Sequence, residues 1–142
     1  MFPRTHIALP LFALALFLGA CSGASGDESE EGEPTPGPDL SGVDFEDATT
    51  LSEVGMQARD NSFDAQYLEV KAGTPITISN VGRTEHNVYP VTEGAFAPVD
   101  ATDLEPGETA TITLEEPGDV AFYCPLHGTT TKGMVGAIRV VA

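Results

Sequence analysis

From Glu53 to the end of the chain, apolar residues return at every second position in short runs: Leu68 and Val70; Ile76 and Ile78; Ala110, Ile112 and Leu114; Val120 and Phe122; Ile138 and Val140. Successive side chains of an extended backbone point to opposite faces, so this spacing gives strands with one apolar face each and offers no stripe to a helix. Turn signals divide the runs at Ala72-Gly73, Val81-Gly82, Pro106-Gly107 and Pro117-Gly118. Their spacing predicts an all-β sandwich and not an alternation of strands and helices. No amphipathic helix is legible, no internal repeat appears, and the irregular stretch from Glu93 to Leu104 has room for one short helical turn.

The first half of the chain is a different text. Arg4 and His6 precede a run of 12 residues from Ile7 to Leu18, apolar but for its alanines and Pro10, that ends in small residues. This pattern predicts a secretory signal peptide over residues 1–20, too short for a spanning helix, which needs about 20 apolar residues. Leu18-Gly19-Ala20-Cys21 resembles the lipobox of bacterial lipoproteins, which implies cleavage before Cys21 and a lipid on that cysteine; the alternative is an ordinary signal peptide with an incidental cysteine. Residues 21–51 are rich in Ser, Gly, Pro and acid, with Asp27, Glu28, Glu30, Glu31 and Glu33 ahead of Pro34-Thr35-Pro36-Gly37-Pro38. Such a segment cannot bury enough apolar surface to offset its ordering entropy, so it reads as a disordered, self-repelling tether. Within it, Val43-Asp44-Phe45 is a segment able to dock locally. The folded domain is expected over residues 52–142.

Charge narrows the partners. Six Lys and Arg stand against 22 Asp and Glu, a net charge of -16. No basic stripe exists to neutralise phosphates, which argues against nucleic acid and against anionic lipid held by charge. From Glu53 onward 13 acids face five bases, so a partner steered by charge should itself be basic.

With the signal peptide and Cys21 set aside, one cysteine and two histidines remain: Cys124, His86 and His127. Cys124 ends the run Val120-Ala121-Phe122-Tyr123-Cys124-Pro125-Leu126-His127, and Gly133-Met134-Val135-Gly136 follows. A soft thiolate, two imidazoles and a thioether are the donors of a blue-copper site, a His2Cys plane with a weak axial Met. Strand parity supports the grouping: Cys124 shares a face with Phe122 and Val120, and Met134 with Gly136, Ile138 and Val140, so both sulfurs should point inward while Arg139 faces water. Each residue taken alone also fits a plainer role, a buried cysteine, a surface histidine or a core methionine. Two histidines and one thiol are too few for a multicopper oxidase, a copper superoxide dismutase or a binuclear purple centre. An inward Cys124 does not suit nucleophilic catalysis, and no Gly-rich phosphate loop follows a strand.

On these residues the chain resembles cupredoxins of the plastocyanin, pseudoazurin and halocyanin kind, from about Val54 to Ala142. The resemblance rests on His86-Asn87-Val88, Tyr123-Cys124-Pro125-Leu126-His127 and Gly133-Met134-Val135-Gly136. It implies a Greek-key β-sandwich holding one type-1 copper ion, with His86, Cys124 and His127 equatorial and Met134 axial, and an Asn87 backbone amide donating toward the Cys124 sulfur. The interval from His127 to Met134 is longer than in plastocyanin by Thr129, Thr130 and Thr131. The function expected is one-electron transfer, not catalysis, by a lipid-anchored monomer outside the cytoplasm. Its partners would be basic, cytochrome c-like proteins or membrane-bound redox complexes, with the membrane reached through the lipid. Two alternatives stand beside it: a copper storage or delivery lipoprotein, and a metal-free β-sandwich that binds another protein.

Overall fold

The computed structural model describes residues 35–142. The signal peptide expected over 1–20, the lipidation at Cys21 and the first part of the tether lie outside the described residues.

Among the described residues nine strands form two sheets. In chain order they are β1 (Glu46–Asp47), β2 (Val54–Arg59), β3 (Ser62–Asp64), β4 (Tyr67–Lys71), β5 (Ile76–Asn80), β6 (Tyr89–Pro90), β7 (Thr109–Ile112), β8 (Gly118–Gly128) and β9 (Gly133–Val141). One sheet runs β1-β4-β9-β8-β6 and the other β3-β2-β5-β7. The alternation read in the sequence becomes alternating burial: β5 is buried at Ile76, Ile78 and Asn80, and β4 at Leu68 and Val70. The inward residues of both sheets make one core, in which Leu68, Val70, Ile76, Ile78, Phe122 and Ile138 are almost wholly hidden. Each such side chain contributes roughly 1.5–3 kcal/mol by leaving water. The single helical turn, Ala101–Asp103, falls in the irregular stretch.

The sheets are mixed. β1 pairs parallel with β4, β4 with β9, and β2 with β5. β9 therefore sits in the middle of its sheet, and its burial departs from simple alternation: Val135 and Ala137 are buried along with Met134 and Ile138. Gln66 ties this part of β9 down: its side-chain amide donates to the Val135 carbonyl at 2.6 Å and its own carbonyl accepts from the Ala137 N–H. Gly136 has no room for a side chain, since a Cβ would lie 2.6 Å from the Phe122 ring.

The folded unit also takes in residues that the sequence reading drew as tether. Gly37 lies over Ala121 and Val91; nine residues later, β1 joins the far edge of the same sheet at Leu68 and Glu69. Ala48 is buried and its N–H donates to the Glu69 carbonyl at 2.8 Å. Between these points the Phe45 ring packs edge-on to Tyr67, and the Arg139 guanidinium lies 4.0 Å from its centroid. Arg139 is held flat by two bonds to Asp119, both 2.8 Å. The outward direction expected for Arg139 is correct, but its stem and plane support a strap and do not simply face water. Residues 35–48 thus cross the outer face of the sheet, with Leu40, Val43 and Phe45 half-buried and Ala48 buried, so that the docking expected of Val43-Asp44-Phe45 extends to a longer strap.

Phe45→Ala removes one aromatic pair and one cation–π contact, each worth about 0.5–1.5 kcal/mol. The expected result is a loss of about 1–2 kcal/mol in a urea titration of the apo-protein. Unchanged stability would mean that the strap lies on the sheet without holding to it.

Candidate metal centre

The site is built where a strand ladder fails. β8 and β9 pair residue for residue from Gly118↔Val140 to Tyr123↔Val135, and resume only at Gly128↔Gly133. Four residues of β8, Cys124 to His127, stand opposite one residue of β9, Met134. The surplus bows out of the sheet, as any bulge must. Cys124, at its base, keeps the inward parity of Phe122 and is fully buried. Pro125 and Leu126 are exposed, Leu126 by 52%, and the chain turns back so that His127 is half-buried. Met134 is fully buried on the facing strand.

His86 comes from the loop between β5 and β6. That loop is pinned by Asn80, which is 2% exposed and fully bonded: its Nδ2 donates to the Thr84 and Leu104 carbonyls, both at 2.8 Å, and its Oδ1 accepts from the Gly82 N–H at 2.9 Å. The His86 N–H donates to the same Leu104 carbonyl at 3.2 Å. Outside, Asp60 grips Arg83 through the backbone N–H at 2.7 Å and the guanidinium at 2.6 and 2.9 Å. Past His86 the chain is fixed again by the Val88–Val99 bridge. Parity after Ile76 and Ile78 points Asn80 inward, but an Asn before Val81-Gly82 also reads as an ordinary turn residue, and nothing local shows what it bonds.

The three donors meet. The Cys124 Sγ lies 3.5 Å from His127 Nδ1 and 3.9 Å from His86 Nδ1, and ligand atoms of all three lie within 4.8 Å of one another. The Asn87 N–H donates to the same sulfur at 3.3 Å. The imidazole planes of His86 and His127 are tilted, centroids 4.8 Å apart. Burial pushes the pKa of His86 down, the neighbouring His127 adds to the shift, and Asp60 opposes it, so His86 is held in the neutral form that binds metals. Its Nε2 is buried without a protein partner.

The model of the copper-binding proteins of the plastocyanin/azurin family matches residues 50–141. The chain belongs to this family. Similar curated proteins include the chloroplastic plastocyanin of Hordeum vulgare, 35% identical over 85 residues that cover 55% of this chain and 54% of that one. The plastocyanin of Solanum crispum is 36% identical over 80 residues, covering 50% and 79%. The chain spans about half the length of the Hordeum and Oryza relatives it matches. Among solved structures, a reduced amicyanin variant has a TM-score of 0.54 at 20% identity, covering 77% of this chain and 94% of that one. A copper-containing nitrite reductase from Thermus scotoductus has a TM-score of 0.51 at 25% identity, covering 63% of this chain and 22% of the enzyme. These likenesses show the cupredoxin sandwich expected from the sequence.

The donor set fits the family's ion. Metal bonds of roughly 2.0 Å to nitrogen and 2.3 Å to sulfur, splayed by about 120°, put the two donor atoms about 3.7 Å apart. The two observed sulfur–nitrogen separations, 3.5 and 3.9 Å, bracket that figure. The cupredoxin family and this cluster together support one type-1 copper ion per chain.

Asn80→Ala removes three hydrogen bonds, to the Thr84 and Leu104 carbonyls and from the Gly82 N–H, and frees the His86 loop. Stability of the apo-protein should fall by about 2–4 kcal/mol, and copper should leave the variant faster under a chelator. Wild-type values in both measurements would remove Asn80 from the site's support.

Proposed function

We propose that the chain carries single electrons between protein partners outside the cytoplasm, with His86, Cys124 and His127 as equatorial ligands and Met134 as the axial ligand of one copper ion. The observation that carries the reading is the surroundings of the Cys124 sulfur: two imidazole nitrogens face it and a backbone N–H donates to it. A core cysteine needs none of these, whereas a thiolate ligand needs all of them. Copper, when bound, supplies reversible one-electron chemistry. The protein's part is to hold the donors in place. Cys124 and His86 are locked by burial, Asn87 tempers the charge on sulfur, and Met134 stands across the bulge. With four side chains committed there is no open position for a substrate, which favours a carrier over an enzyme. His127 is the half-exposed donor, beside exposed Pro125 and Leu126, and gives electrons the shortest way in and out.

The location remains part of the proposal: a lipid on Cys21 would tie the carrier to the outer face of a cell membrane or within a periplasm. Among the described residues no helix is long and apolar enough to cross a membrane. The reading of a storage or delivery protein uses the same donors, and slow copper release with reversible bleaching on reduction separates the two.

Cys124→Ser should abolish the intense thiolate-to-copper absorption while the apo domain still folds, since Phe122 and its neighbours keep their packing. Met134→Leu should keep the colour and raise the reduction potential, because loss of a weak axial donor favours Cu(I). An intensely blue Cys124→Ser protein would overturn the ligand set; an unchanged potential in Met134→Leu would remove the axial assignment.

Surface charge supports a basic partner. Arg59, Arg83 and Arg139 are each paired with an aspartate, Asp64, Asp60 and Asp119. This leaves Lys71 and Lys132 as the side-chain cations without an acid partner among the described residues, against the other acids. Electron transfer to a basic cytochrome c should therefore slow steeply as ionic strength rises and the screening length shrinks to about 10 Å at 0.1 M salt. Stopped-flow rates across a salt series test this, and a flat dependence would remove the steering.

A further inference from the structure

The ligand bulge is closed by two glycines. Gly128 follows His127, Gly133 precedes Met134, and the two are partners in the ladder. A Cβ on Gly128 would lie 2.6 Å from the Met134 nitrogen and 2.7 Å from the Lys132 carbonyl oxygen; one on Gly133 would lie 2.7 Å from the His127 carbonyl oxygen and 2.9 Å from the Gly128 Cα. Every one of these atoms is backbone, so no flexible side chain can give way. Gly133 also has a φ of +83°, a region that favours glycine. We propose that Gly128 and Gly133 form a side-chain-free clamp that positions His127 and Met134 against Cys124 and insulates the donors from the hairpin tip beyond. The proposal rests on the copper reading above and deepens it by naming positioning residues that bind nothing themselves.

The two glycines touch the ligand residues through single peptide bonds. To restore ordinary contact near 3.4 Å, a methyl group at either position must spread the two strands by about 0.7 Å, and the backbone atoms that must move include those of Met134 for Gly128 and those of His127 for Gly133. Below the clamp, six paired residues on each strand cannot slide. Above it, the tip is self-contained: the Thr129 N–H donates to the Lys132 carbonyl at 2.8 Å, and the Thr129 Oγ1 accepts from the N–H groups of Thr131 at 3.4 Å and Lys132 at 3.2 Å. The tip therefore needs nothing from the bulge. The clamp explains how the interval from His127 to Met134 can be long while Met134 still faces the Cys124 to His127 segment.

The test uses the full chain loaded with Cu(II), and reads the thiolate-to-copper absorption and the reduction potential, with circular dichroism and melting of the apo-protein as the folding control. Gly128→Ala and Gly133→Ala should each shift the band and the potential. Gly133→Asn, which tolerates the left-handed φ but still carries a Cβ, should shift them as well, separating the close approach from backbone strain. One extra glycine inserted between Thr130 and Thr131 should leave both at wild-type values. Folded Gly128→Ala and Gly133→Ala proteins with wild-type band and potential would overturn the clamp. So would a tip insertion that shifts the potential, and this arm decides the matter even where the glycine variants fail to fold. A wild-type chain with no thiolate-to-copper band would instead overturn the copper reading on which the clamp rests.

Discussion

The ladder between β8 and β9 holds this structure together, and its single interruption makes the site. Over six consecutive pairs the two longest strands cannot shift without breaking hydrogen bonds on both, and β9 is tied on its other side to β4 by five more pairs. A bulge set into so firm a ladder has no freedom to wander. The stiffness of the donor set is inherited from the sheet: a strand that cannot slide delivers Cys124 and Met134 to fixed points, and the four-against-one mismatch swings His127 back toward them. A donor set that resists rearrangement is what one-electron chemistry requires, because a geometry that barely changes between oxidation states lowers the reorganisation each transfer must overcome.

The second delivery is of another kind. His86 is not on a long strand but on a loop, and loops are fixed by satisfied polar groups, not by ladders. Asn80 does this from within, tying Gly82, Thr84 and Leu104 together, and the Asp60–Arg83 pair does it at the surface. The surface pair is exposed on the arginine side and contributes little by itself; the buried amide has no water to fall back on and is the stronger constraint.

What the sequence shows of this arrangement depends on how local each feature is. The strands around Leu68, Ile76, Ile112, Phe122 and Ile138 were legible because two or three alternating apolar residues suffice to declare a face. β1, β3 and β6, two or three residues each, are too short to show any period, whereas β2 does alternate, Val54, Met56 and Ala58 against Gly55, Gln57 and Arg59. Parallel pairing of β4 with β9 and of β2 with β5 leaves no trace in the chain, since register between distant segments is settled by the closed fold. The site divides the same way. Cys124, His127 and Met134 lie within 11 residues of one another, so motif and parity bring them together on paper. His86 joins them in the sequence only as one of the two histidines left to the domain, with nothing to show the loop that delivers it, and Asn80 shows its inward parity after Ile76 and Ile78 but not its bonds to Gly82, Thr84 and Leu104, which exist only once the loop has closed around it. The strap is legible only in part, for the opposite reason: its composition is that of a tether, and Val43-Asp44-Phe45, the segment able to dock, is too short to carry a period.

These constraints also bear on where the energy of metal binding can go. In a small zinc domain the metal supplies the folding energy and the apo chain is unfolded. Here an apolar cluster drawn from both sheets, from Val54 and Met56 through Leu68, Ile76 and Ile78 to Phe122 and Ile138, takes in Cys124 and Met134 as two of its many members, so most of the core is built from side chains that bind no metal. A core that stands without the ion leaves the ion nothing to fold. Its binding energy is then free to be spent against a geometry the protein has already chosen, and the donors can be held where the ladder and the Asn80 loop put them instead of where a copper ion in either oxidation state would draw them.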